Sequence, residues 1–464
     1  MEQPRASEKD NAFRQFSLNG NLWLLVLKIS APLAFYQIVN WIFGVYDTFL
    51  ASQFSSDSVT AVVYLNQLAQ MLSAIGAGLS VGASLRISEA FGAGDDELVQ
   101  QRVSTLYAVC LGIGLTLLAV ILPFTDPFLR MAGTSASISA IGRSYFIVQM
   151  LILVVQFLNN VYISVERARG NIKRLTLLNF MVVGIKFLLS NLFVYGMHGT
   201  LVTIAVATLL SQLALLGVAI YYTVRTRDIF SFHAGSIRFD RRVLLPMLTR
   251  AAPVTAEKLL FNYGKVAINA MSMRYGNMAV GALGVSNNMG GISVSPQSGV
   301  QEGGAAVISQ NIGAGNYRRA RQAFLRILVI EVSIGVALMV VSLLFLEPLA
   351  AIFDGGDATF RHTAMEIYRY EAIGCPALGV NAAVLSLLYG MGDTRTAMLL
   401  NIARIFVFRI PVLWVLQCIG YDPIASLGLV MLISNLGTGL SALAILPHFW
   451  RTLKQKEVIP RGHL

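Results

Sequence analysis

Charged side chains are scarce in this chain. Asp, Glu, Lys and Arg together make up 13% of its 464 residues, against 55% hydrophobic residues. A water-soluble domain needs more polar surface than that, so an ordinary globular protein is excluded. Cysteine is also sparse. Cys110, Cys375 and Cys418 stand singly in apolar runs, without the paired spacing of a disulfide or zinc framework, and read as packed free thiols. No Gly-x-x-x-x-Gly-Lys-Ser/Thr phosphate loop is present, which excludes an ATP-driven pump within this chain. With five histidines, no Ser/His/Asp or paired-carboxylate constellation and no loop long enough for a catalytic domain, no catalytic residue and no metal site are expected. An enzyme is not expected either, nor any cofactor beyond a coupling H+ or Na+.

What the chain has instead is apolar runs of about 20 residues, long enough to span a bilayer. Twelve are read, at about 22–52, 59–85, 103–124, 141–165, 174–196, 199–223, 244–272, 279–308, 323–347, 367–390, 396–419 and 423–448. Polar residues 1–21 precede the first run, unlike a secretory leader. The loops alternate in charge: one side carries 22 Lys and Arg and the other five. The positive-inside rule then predicts cytoplasmic termini in a cell membrane. The net charge of +11 follows this asymmetry and gives no reason to expect a nucleic-acid partner.

The chain is also duplicated. Gly82-Ala83-Ser84-Leu85-Arg86-Ile87-Ser88-Glu89-Ala90-Phe91-Gly92-Ala93-Gly94-Asp95 returns 221 positions later, from Gly303 to Asn316. Ala31-Pro32 returns as Ala252-Pro253, and Leu177-Leu178-Asn179, with one residue of slippage, as Leu399-Leu400-Asn401. The predicted organisation is a cytoplasmic arm (1–21), an N-terminal lobe (22–223), a cytoplasmic linker (224–243), a C-terminal lobe (244–448) and a basic tail (449–464). Each lobe has six helices, and a site is expected between the lobes. The basic linker with Phe230, Phe232 and Phe239 is expected to lie on anionic lipid.

Polar side chains inside the spans mark the candidate site, because buried charge in hydrocarbon is costly and rarely passive. The first span places Gln37, Asn40 and Asp47 on one face. The fifth sets Lys186 seven residues after Asn179 and four before Ser190; the sixth holds Thr208. The seventh carries Glu257 beside a stripe of Lys258, Asn262, Lys265 and Asn269. Glu331 in the ninth is expected to pair with Arg326 or to reach the interface. Arg404 and Arg409 in the eleventh stand five residues apart, which on a continuous helix directs them to different faces.

The paired Gly92-Ala93-Gly94-Asp95 and Gln310-Asn311-Ile312-Gly313-Ala314-Gly315-Asn316 resemble the multidrug and toxic compound extrusion (MATE) transporters. So do Ala31-Pro32-Leu33 followed by Asp47, and Gly390-Met391-Gly392-Asp393-Thr394 before Arg404. The resemblance runs through all twelve spans. It implies two six-helix lobes, alternating access, and export driven by proton or sodium entry, with Asp47 and Glu257 as ion-coupling groups. In one branch of the family a fifth-helix Asn and Asp complete a cation site with the first-helix aspartate; Lys186 and Ser190 stand there instead. A lysine does not ligate sodium, and it stabilises an Asp47 anion. The resemblance thus implies an antiporter for organic compounds, drugs and toxins among them, monomeric and surrounded by lipid. The alternative is an exporter or flippase for an anionic metabolite or lipid-linked sugar, held by Lys186, Lys258, Lys265 and Arg404.

Overall fold

The computed structural model describes residues 15–52, 56–131, 136–197, 199–225, 228–352 and 358–458. The arm before residue 15 and the tail beyond 458 lie outside them. The helices are Leu22–Ser52 (α1), Ser56–Ala93 (α2), Asp96–Ile121 (α3), Thr125–Met131 (α4), Ala136–Arg169 (α5), Ile172–Asn191 (α6), Leu201–Arg225 (α7) and Leu244–Ser272 (α8). They continue with Asn277–Gly313 (α9), Tyr317–Leu344 (α10), Leu346–Ala351 (α11), Ala358–Ile373 (α12), Cys375–Met391 (α13), Thr394–Phe406 (α14), Ile410–Cys418 (α15) and Pro423–Val458 (α16).

These make a twelve-span, all-helical membrane fold. Among the described residues, nine stretches are long and apolar enough to cross a bilayer, and α12 with α13 forms a tenth span bent by 48°. The bend falls at Gly374, with Pro376 in the first turn of α13, where its missing N–H is not needed. α8 and α9 complete the twelve. They are the polar spans, so hydropathy alone passes over them.

The duplication is carved into the turns. Gly94, Gly170, Gly315 and Gly392 each end a helix at positive φ, and each is followed by Asp or Asn. At each, the glycine N–H bonds the carbonyl three residues back and the next N–H reaches five back, as from Asp95 to Ala90 at 3.1 Å and Asn316 to Asn311 at 2.8 Å. This pattern satisfies the last carbonyls of one helix while the Asx residue starts the next. Asp95 and Asp393 complete it with side-chain bonds to the N–H groups of Leu98 and Thr396. The short helices α4 and α11, which start 221 positions apart, were not visible as spans because each is under two turns long.

The described residues pack as two compact units, one from Ile42 to Thr255 and the other made of Gln15–Trp41 with 256–458. The repeats are chain-order halves, but the units cut across them at the first helix of each. In the first unit, Gly78 and Gly82 on α2 receive Thr255 and Ala251 of α8. In the second, Gly299 and Gly303 on α9 receive Ala34 and Ser30 of α1. A Cβ on Gly78, Gly82 or Gly299 would run into its partner's backbone, and one on Gly303 into the Ser30 hydroxyl. All four pairs are related by the same 221-residue shift, and each glycine pair is spaced four apart, the spacing that lets two membrane helices touch backbone to backbone.

Residues 228–243 are folded onto the first unit rather than laid out as a free stripe. Phe230 is buried against Phe91, with ring centroids 5.1 Å apart, and Phe232 meets Tyr107. Arg169 pairs with Asp228 and with Glu166, which also holds Arg174 at 3.2 Å. Of the three phenylalanines expected on lipid, Phe239 alone is exposed. The cysteines divide likewise: Cys110 and Cys375 are buried, but Cys418 is exposed, at the end of α15 where packing stops.

Candidate site: a held carboxylate and a cationic cluster

Glu257 sits on α8 one turn after Pro253, whose ring removes a backbone donor from that helix. Its side chain is buried and bridges three helices. Tyr389 of α13 donates its hydroxyl to Glu257 Oε2, and Asn401 of α14 donates Nδ2 to Oε1 at 2.6 Å. Asn401 in turn accepts from Asn381 of α13 at 3.3 Å. Lys258, half-buried on the next position of α8, lies within electrostatic reach of the carboxylate. Both carboxylate oxygens are thus occupied by donors, an arrangement that suits the ionised form.

A second cluster lies in the same unit. Lys265, two turns beyond Glu257 on α8, is exposed, and its Nζ stands 5.1 Å from the centre of the Phe261 ring. The Arg404 guanidinium of α14 is 5.7 Å from the same ring. Arg404 Nη2 donates to Asn435 of α16 at 2.9 Å, and Arg409 Nε donates to Ser434 at 3.0 Å. Glu371 of α12, buried, accepts from Ser286 of α9 at 2.6 Å and lies in the field of Arg409, Arg404 and Lys265.

Arg404 and Arg409 therefore do not point apart. The helix is interrupted at 407–409, so the 100° step per residue does not carry through, and both arginines reach neighbouring residues of α16. Glu331 neither pairs nor reaches the interface. It is fully buried, both its oxygens lack a hydrogen-bond partner among the described residues, and Arg326 instead donates to the Gln322 carbonyl and lies over Trp23. Gln297 of α9 crosses to the backbone carbonyls of Glu331 and Cys375, so this polar residue of α9 serves helix packing.

In the first unit, Lys186 is half-buried with its Nζ 5.5 Å from the Phe43 ring centre, one turn before Asp47 on α1. The Asp47 side chain lies outside the described residues. Tyr46 donates to Asn191 at 3.1 Å, which brings the ends of α1 and α6 together. Asn179 and Ser190 are buried, and the Ser190 hydroxyl has no partner among the described residues. Thr208 bonds the Ile204 carbonyl of its own helix at 3.2 Å, ordinary back-bonding. On α1 Gln37 is half-buried and Asn40 exposed; on α8 Asn262 is half-buried.

The sequence reading missed Tyr389, Asn401 and Glu371 as site residues. Asn401 carried a signal, since it is the repeat partner of Asn179. Glu371 carried one as well, an acid inside the tenth span. Tyr389 carried none, because a tyrosine in an apolar run is ordinary core.

A duplicated twelve-span fold with charged and polar side chains held between its helices defines a membrane transporter of multi-pass type. The chain belongs to the MatE family, whose profile matches residues 32–192 and 253–415, once in each repeat. The probable multidrug resistance protein YoeA of Bacillus subtilis is 23% identical over 375 residues, covering 78% of this chain and 79% of its own. An FAD transporter of Shewanella oneidensis is 22% identical over 408 residues, covering 86% and 88%. A solved MOP superfamily transporter from Pyrococcus furiosus, for which reverse polarity of the binding pocket suggests a different function, shares the fold with a TM-score of 0.90. It is 18% identical and covers 98% of this chain and 100% of that one.

Proposed function

We propose that this protein is a secondary exporter of small organic compounds that exchanges them for protons, with Glu257 as the proton-binding group. It acts as a single chain in the cell membrane, with the basic ends of its helices in the cytoplasm. The observation that carries the reading is the double acceptance at Glu257. A proton on either oxygen turns an acceptor into a donor, so Tyr389 or Asn401 must release or reorient. Proton occupancy is then linked to how α8 packs against α13 and α14, the coupling an alternating-access cycle needs. The Asn401 amide presents N–H to the carboxylate, which favours a proton over a sodium ion at this position, since sodium requires oxygen ligands.

The substrate has a second reading in its charge. Lys265, Arg404 and Arg409 outnumber Glu371 in their cluster, which favours organic anions over the cationic drugs of the family pattern. The FAD transporter among its relatives supports that direction.

The test uses inside-out vesicles with a preset proton gradient, followed by a pH dye. Ethidium is added first, then flavin mononucleotide, each with and without sodium. Gradient collapse that disappears in Glu257→Gln at unchanged protein level is expected. Collapse that survives in Glu257→Gln, or transport that requires sodium and ignores the proton gradient, rejects the proposal. The probe that triggers collapse decides between the two charge readings.

A further inference from the structure

The cationic cluster has a feature that its own residues leave unbalanced. Among the described residues, Lys265, Arg404 and Arg409 form no ion pair within 4.0 Å. The single nearby carboxylate, Glu371, is engaged by Ser286. Arg409 is buried and tied to Ser434. Arg404 has one nitrogen on Asn435 and a buried Nε without a partner. Lys265 rests against the face of Phe261, with no hydrogen bond to it among the described residues.

A cation over an aromatic face gains about 0.5–2 kcal/mol, too little to offset removing a lysine from water inside a membrane. Lipid is therefore an unfavourable environment for Lys265, and an anion is a favourable one. Two cations around one half-buried ring also fix a geometry. An anionic group placed between them exchanges two cation–ring contacts for charge-assisted hydrogen bonds, which are stronger. The ring they vacate is then open to stack on another ring.

We propose that Lys265 and Arg404, set around Phe261, form a subsite for an organic anion that carries a flat aromatic ring. The carboxylate or phosphate pairs with the two cations, and the ring lies against Phe261. The inference rests on the anionic reading of the substrate and names the residues that select it; it does not depend on which ion drives transport.

Fluorescence titration of the purified full-length protein in detergent tests it at equilibrium, without a gradient. Three probes separate the contributions: flavin mononucleotide carries ring and charge, riboflavin the ring, and glycerol phosphate the charge. Flavin mononucleotide should bind about tenfold or more tighter than either of the others. Lys265→Gln should weaken it about tenfold while leaving riboflavin unchanged. Phe261→Leu should reduce flavin mononucleotide to the level of glycerol phosphate, and Phe261→Tyr should retain its binding. Arg404 also anchors α16, so Arg404→Lys, which keeps the charge, is compared with Arg404→Gln; the lysine should preserve most of the affinity.

No binding of flavin mononucleotide by the native protein overturns the proposal. So does equal affinity in Lys265→Gln, or glycerol phosphate binding as tightly as flavin mononucleotide. If binding follows the expected order but vesicles show no proton exchange, the role of Glu257 falls and this subsite stands.

Discussion

Three buried carboxylic acids of the second unit meet different surroundings. Glu257 has a donor on each oxygen, Glu371 has a serine hydroxyl, and Glu331 has no side-chain partner among the described residues. An unsatisfied buried polar group costs about 1–3 kcal/mol. Glu331→Met, close in volume and without that penalty, should raise the thermal midpoint in detergent. A lowered midpoint would show that Glu331 has a partner in the folded protein. Tyr389→Phe does the opposite, leaving Glu257 one donor short. It should destabilise by about 1–3 kcal/mol in the same assay and slow proton-driven export; an unchanged midpoint would dissociate the pair.

At the scale of elements, the glycine seats are the contacts least tolerant of change. Gly82→Ala and Gly299→Ala each put a methyl group into the backbone of a partner helix, and each should destabilise by about 1–3 kcal/mol. Gly217 on α7 has nothing within 4 Å of a built Cβ, so Gly217→Ala should be neutral or stabilising by up to about 1 kcal/mol. Thermal unfolding of the three variants checks this, and equal behaviour of all three would remove the special status of the seats. The glycines were legible as a repeat. Their purpose was not, because a repeat shows that a residue recurs and not what approaches it.

At the scale of the whole molecule, alternating access requires helices of different repeats to part. Ser17, just before α1, and Gln310 on α9 bridge the repeats with a hydrogen bond of 2.6 Å. With Cys110, Cys375 and Cys418 replaced, Ser17→Cys with Gln310→Cys should cross-link on oxidation. Export should stop, and a reductant should restore it. Full export by the cross-linked protein would show that this contact stays closed throughout the cycle.

The sequence alone determined the membrane class, the twelve spans, the duplication and the family, along with Glu257, Lys265 and Arg404 as candidates. These follow from properties carried along the chain: apolar run length matched to bilayer thickness, and a shift of 221 positions. Only the tertiary structure decided what Glu257 touches, since Tyr389 and Asn401 arrive from 132 and 144 residues away. It alone turned Arg404 and Arg409 to one helix, by breaking α14 from α15. It alone sent the start of α1 to the second unit and the start of α8 to the first. Side-chain partners across helices depend on crossing and bending, and periodicity along one helix does not encode either.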